Sequence, residues 1–162
     1  MIFVTLGSQK FQFDRLLRTM DQIAQSGMQH EIFAQTGAST YAPANFPCKA
    51  FLDADQYADA MQRADIVITH GGTGAIIGAV KRGKKVIAVP RLACHGEHVD
   101  DHQLQIIRSF AEMDLILPCE DLDDLPQKLT DIEQMTFRSY QSNTQTIVDS
   151  IDAYISSQFS LD

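Results

Sequence analysis

The segment Asp65-Ile66-Val67-Ile68-Thr69-His70-Gly71-Gly72-Thr73-Gly74-Ala75-Ile76-Ile77-Gly78-Ala79-Val80 decides the fold. A short β-branched run gives way to a glycine-rich turn, which leads straight into an apolar stretch of helical composition. That is the strand-turn-helix half of a βαβ unit, because a strand buried on both faces reads as a continuous apolar run. Five runs of similar kind flank it: Ile2–Leu6, Glu31–Ala34, Lys49–Leu52, Lys85–Val89 and Leu115–Leu117. Between the first two, Phe13, Leu16, Leu17, Met20 and Ile23 recur at helical spacing, and Gly27 is placed to end that helix. Leu104, Ile107, Phe110 and Ala111 repeat the pattern after Lys85–Val89. Pro43 and Pro47 mark a loop before the third run, and Pro118 and Pro126 flank a short acidic helix. The alternation predicts an α/β fold: a Rossmann-like parallel sheet of about six strands with flanking helices.

One domain is expected over residues 1–162, since a chain of this length buries about 70% of the surface it exposes when unfolded. A last helix at about 143–159, with Ile147, Ile151, Tyr154, Ile155 and Phe159 at helical steps, suits either core packing or the docking of a partner. Acidic residues outnumber basic ones by 21 to 13, and the net charge of −8 offers no overall field for nucleic acid or an anionic membrane. The cations Lys81, Arg82, Lys84 and Lys85 follow the apolar helix and complement the negative end of its dipole. Cys48, Cys94 and Cys119 are widely spaced with no CxxC pair, as expected of reduced thiols in the cytoplasm. The start, Met1-Ile2-Phe3-Val4-Thr5-Leu6-Gly7, lacks the features of a signal peptide, and no apolar run reaches the ~20 residues that span a bilayer.

Ligands of open parallel sheets bind beyond the carboxyl ends of the strands, so the loops there are where chemistry is sought. His70, Gly71, Gly72, Thr73 and Gly74 form the first candidate, because glycines let backbone N–H groups approach an anion at a helix start. His70 could add a donor or a positive charge; a plain tight turn would use the same glycines. Gly7 and Ser8, at the exit of the first strand, form the second candidate, with helix capping as the alternative use of Ser8. The third is Pro90–Gln103, unusually dense in ionisable side chains for a connector. His95, His98 and His102 could hold a metal there, but the pattern is not HExxH, and polar recognition of a hydroxyl-rich ligand accounts better for the whole stretch. No metal or cofactor is therefore assigned. Neither a Walker loop nor GxGxxG is present, and Gln35-Thr36-Gly37 puts no acid after the second strand, which disfavours a dinucleotide enzyme.

The strand-HGGTG-helix, the Gly-Lys-Lys-Val-Ile-Ala-Val-Pro strand and the Gly-Glu-His-Val-Asp-Asp-His-Gln loop resemble, in order and spacing, the C-terminal donor domain of the family 28 glycosyltransferases. The resemblance covers nearly the whole chain. It is closest to stand-alone subunits of bacterial exopolysaccharide and capsule assembly, and similar to the soluble subunit of the dolichol-linked UDP-GlcNAc transferase. It implies one half of a GT-B fold and a UDP-sugar as substrate, a hexose with galactose expected. The implied partner is a membrane-anchored subunit that binds a lipid-linked diphosphate saccharide and recruits this chain to the inner face of the membrane. By residue, it places Gly71, Gly72, Thr73, Gly74 and His70 on the diphosphate, with Gly7 and Ser8 closing over it and Asp101 and Gln103 on donor-sugar hydroxyls. The acceptor side, and with it the catalytic base, is expected on the partner, with Glu97 and His98 left as the weaker candidates from this chain. Many relatives place a ribose-gripping glutamate where Gly78 stands, a departure that keeps open a non-catalytic subunit enhancing a separately encoded transferase.

Overall fold

In the computed structural model, which describes residues 1–158, β4 (Ile66–His70) lies inside the sheet with all five of its residues buried. It pairs in parallel with β1 (Ile2–Thr5) on one side and β5 (Lys85–Val89) on the other. Beyond β1 lie β2 (Ile32–Gln35) and the two-residue β3 (Cys48–Lys49); beyond β5 lies β6 (Leu117–Pro118). The order β3-β2-β1-β4-β5-β6 makes a six-stranded, all-parallel sheet whose direction of winding reverses between β1 and β4. This is the doubly wound arrangement, and its switch point lies at the carboxyl ends of β1 and β4. Gly7 and His70 stand there.

Helices cover both faces because alternate residues of each strand point to opposite sides. Ile2, Val4, Ile66, Ile68, Ile87 and Val89 pack with Leu16, Leu17 and Met20 of α1 (Asp14–Gln25) and Leu129 and Ile132 of α5 (Leu125–Gln134). On the other face, Phe3, Val67, Val86 and Ala88 meet Met61 of α2 (Ala54–Arg63), Ile76 of α3 (Thr73–Val80) and Ile107 of α4 (His102–Glu112). Asp21 of α1 holds down the loop before β3, accepting from the Tyr41 hydroxyl and the N–H groups of Ala44 and Asn45.

Several boundaries differ from the sequence expectation. Helix α1 starts only at Asp14, inside the periodic run that begins at Phe13, and the Gln12 side chain accepts from the Asp14 N–H at 2.7 Å. Gly27 adopts φ 92° just past its end, the left-handed turn expected of it. The acidic segment before Pro126 is a single 3-10 turn, Leu122–Asp124, and Pro126 lies in the first turn of α5. The last helix, α6 (Thr144–Gln158), buries none of its described residues, so core packing is not its role; Phe159 lies outside the described residues. No described helix is long and apolar enough to cross a membrane.

Candidate functional site

At the end of β4 the chain turns through Gly71 and Gly72 into α3, with Gly72 at the cap position. The N–H groups of Gly72, Thr73 and Gly74 meet no acceptor among the described residues, and Thr73 and Gly74 are exposed. The first N–H groups of any helix lack intrahelical partners, and the positive end of the dipole adds to their pull on an anion.

The glycines on either side owe their identity to the His70 ring. A Cβ on Gly72 would lie 2.3 Å from His70 Nε2, and one on Gly7, 2.7 Å from Cε1. Gly7 also has φ 73°, so it needs glycine for its backbone as well. Gly71 is closed off by Gln103, whose Cβ would be 2.6 Å from an added one. The loops leaving β1 and β4 are thus packed around one imidazole.

Burial drives the His70 pKa below the usual histidine value of 6.5, and the nearby Arg91 cation drives it further, to about 4. The positive charge envisaged for His70 is therefore absent at neutral pH; the ring works as a neutral group. The folded state holds this proton less tightly than the unfolded one. The stability carried by neutral His70 is then complete above about pH 6.5 and lost as pH falls toward 4. A difference of about 2.5 pKa units corresponds to about 3 kcal/mol. Urea unfolding at pH 7.5 and pH 4.5 should show most of that loss, on the order of 3 kcal/mol, and a His70→Gln variant should show a visibly smaller one.

Arg91, directly after the Pro90 that leaves β5, is the largest fully buried side chain. Its Nη2 donates to the carbonyls of Leu6, at 2.8 Å, and Phe11, tying the β1 exit to β5. Its Nε and Nη1 meet no acceptor among the described residues. Burial lowers its pKa to about 10, against the opposing pull of Glu97, so it stays a cation at neutral pH behind the glycine turn. Nothing in the sequence singled it out, although a charge immediately past a core strand's carboxyl end is the signal that could have.

Gln103 is buried, and its Oε1 accepts from both Gly71 N–H, at 3.1 Å, and Arg91 N–H, at 3.0 Å. Two backbone donors on one oxygen fix the amide's orientation, so Nε2 is left as the donor, with no partner among the described residues. Asp101 is exposed, and its Oδ1 accepts from Ala93 N–H at 2.7 Å. Ser8 is exposed beside Gly7.

Glu97 is elsewhere in role. It is fully buried, its carboxylate held by Arg15 through Nε and Nη2, both at 3.0 Å, and by the Leu92 N–H. No oxygen of Glu97 is offered to a ligand, which removes it as a base. The His98 ring packs on Phe11 with centroids 4.6 Å apart and on His102 at 4.7 Å. His95 stands apart from these two; its carbonyl accepts from Gln12.

Residues 1–156 match the glycosyltransferase family 28 C-terminal domain. The human UDP-N-acetylglucosamine transferase subunit ALG13 is 28% identical over 119 residues, covering 67% of this chain and 10% of that protein. The chain thus spans about a tenth of the length of the curated relatives it matches. The crystal structure of Acinetobacter baumannii MurG superposes with a TM-score of 0.63 at 22% identity, over 93% of this chain and 49% of that one. The solution structure of ALG13 gives 0.59 at 16% identity, over 93% of each chain. The fold is that of one half of a GT-B glycosyltransferase, the switch-point loops are its candidate site, and the chain belongs to the glycosyltransferase family 28 C-terminal domain.

Proposed function

We propose that this chain is the donor-binding subunit of a two-chain glycosyltransferase and takes a UDP-linked hexose. The observation that carries the proposal is the run of unpartnered N–H groups at Gly72, Thr73 and Gly74, on the exposed start of α3 next to the free Gln103 amide. The first is a phosphate end; the second, with Asp101 close in sequence, is a hydroxyl end. Gly7 and Ser8 close over the diphosphate from the β1 side.

Transfer requires stabilising the charge that builds on the departing nucleoside diphosphate as an acceptor hydroxyl attacks the anomeric carbon. The three amides and the α3 dipole are aimed at that charge in advance, which is where preorganised donors act most strongly. The buried Arg91 cation adds a fixed positive field from behind. A base must reach the acceptor hydroxyl. With Glu97 held by Arg15, that group is assigned to the partner, a membrane-anchored subunit carrying a lipid-linked diphosphate saccharide. Helix α6 is the proposed dock, since Ile147, Ile151, Tyr154 and Ile155 are each about half exposed or more. Such a partner would hold this cytoplasmic chain at the inner membrane face. The exopolysaccharide and capsule resemblance favours galactose as the sugar; the ALG13 relatives, named for UDP-N-acetylglucosamine, favour that amino sugar.

Calorimetric titration of the chain with UDP-galactose and UDP-N-acetylglucosamine tests this directly. Saturable binding of one of them is expected, together with a transfer rate at least about tenfold lower for His70→Ala in the reconstituted pair, as for loss of one preorganised polar group. No binding of either would leave the rival, a non-catalytic enhancer, which Gly78 favours: it offers no side chain to grip a ribose, although an added Cβ would meet nothing closer than Arg82 Nη1 at 3.8 Å.

A further inference from the structure

We propose that His98, Asp100 and His102 form a binding site for one zinc ion. The three alternate along the chain as it enters α4, and one ligand atom from each lies within 4.8 Å of the other two. His98 is nine-tenths buried, and its Nδ1 has no hydrogen-bond partner although it is closed off from water. A buried imidazole nitrogen left without a partner is uncommon and calls for an occupant.

What faces that nitrogen is Asp100 Oδ1, at 3.3 Å, without hydrogen-bond geometry. Zinc–nitrogen and zinc–oxygen bonds of about 2.0–2.2 Å in a tetrahedral arrangement put neighbouring ligand atoms about 3.3–3.5 Å apart. The His98–Asp100 separation is thus that of a tetrahedral edge, whereas His102 Nδ1 is hydrogen-bonded to the same oxygen and must give up that contact and move apart from it to admit an ion. His102 Nδ1 lies against the same oxygen, which also accepts the His102 N–H at 3.1 Å and so fixes the carboxylate. The two rings are preset by packing: His98 lies on Phe11, and His102 meets His98 edge-on at 72°.

Two imidazoles and a carboxylate suit zinc, whereas magnesium and calcium require mainly oxygen ligands. The set is not the His95, His98 and His102 trio that the spacing offers; Asp100 takes the place of His95. A zinc ion here would clamp the β5–α4 loop in the shape that stacks against Phe11 of the β1–α1 loop. The site stands whether or not the chain binds a UDP-sugar, because its readout is the metal.

The test uses the full chain without a histidine tag, stripped of metal and titrated calorimetrically with zinc chloride. The cobalt(II) spectrum and the zinc-induced rise in melting temperature are followed alongside. Wild type is expected to bind one equivalent, with a four-coordinate cobalt spectrum and a raised melting temperature. The Asp100→Asn/His102→Ala variant alters only exposed residues and should fold; it is expected to lose affinity at least tenfold and to lose the melting shift. His98→Gln, checked for folding by circular dichroism, should bind as weakly. Absence of saturable binding in wild type would overturn the proposal. So would unchanged zinc affinity in the double variant, which would place the ion elsewhere, for instance at Cys94 and His95.

Discussion

Gly72→Ala is expected to reduce sugar transfer by the reconstituted pair on the order of a hundredfold, and to weaken UDP-sugar binding with it. The new Cβ would sit 2.3 Å from His70 Nε2, 2.9 Å from Cε1 and 3.0 Å from Cδ2, across the face of a ring that burial prevents from swinging away. Relief has to come from the turn itself, which carries the Gly72, Thr73 and Gly74 amides. A displacement of about 1 Å at a positioning group is enough for a hundredfold effect. Overpacking of this kind also costs about 1–3 kcal/mol of stability. Gly74→Ala makes the contrast, since a Cβ there meets nothing within 4 Å and should leave the melting temperature unchanged. If the ring is the obstacle, combining Gly72→Ala with His70→Ala should recover stability relative to Gly72→Ala alone. A melting temperature that stays low in the double variant would show that the backbone, not the imidazole, demands glycine.

The second large effect is on stability. Arg15→Ala should destabilise the fold by about 3 kcal/mol or more, because it strands the Glu97 carboxylate, only 1% of whose side chain is exposed. For a chain of this size that is a fall of roughly 6–12 °C in melting temperature. Removing the carboxylate as well, in Arg15→Ala/Glu97→Met, should restore much of the loss, since no lone charge is then left buried without a partner. The Arg15 guanidinium also donates to the Pro90 carbonyl, at 3.1 Å, so some deficit should persist. Equal melting temperatures for the single and double variants would show that the charge pair is energetically minor.

These two cases mark what was legible in the chain and what was not. The central strands read almost to the residue: Lys85–Val89 coincides with β5, β1 ends one residue earlier than expected, and β4 is shifted by one residue from Asp65–Thr69 to Ile66–His70. They are buried on both faces, so apolarity and β-branching coincide with strand. The edges were displaced, Lys49–Leu52 to Cys48–Lys49 and Leu115–Leu117 to Leu117–Pro118. Leu115 and Ile116 are buried without belonging to the ladder, and hydrophobicity does not separate those two conditions. Helix α2 has no broad apolar stripe to mark it, since its buried face is mainly Ala60 and Met61, although Asp53 caps it by accepting from Gln56 N–H at 2.8 Å.

At the site, the glycine turn was visible because glycine is a backbone statement. The reason for it, an imidazole wedged between Gly7 and Gly72, joins residues far apart in sequence. The same holds for Glu97, whose partner Arg15 lies 82 residues away, and for the Gln103 amide that links the Gly71 and Arg91 N–H groups. Charge density marked the β5–α4 loop as special, but it could not separate an acid held inside the fold from one facing solvent. Only the contacts do that.

The brevity of the outermost strands bears on how the chain behaves at high concentration. An uncovered sheet margin is a template on which other chains add strands, and long flat margins lead toward fibrils. Here β3 and β6 present only two residues each to a neighbour, and the Pro118 in β6 has no N–H to donate. The sheet thus ends in stubs too short to seed a cross-β stack, and crowded solutions of this chain should associate through side-chain surfaces, not by extending the ladder.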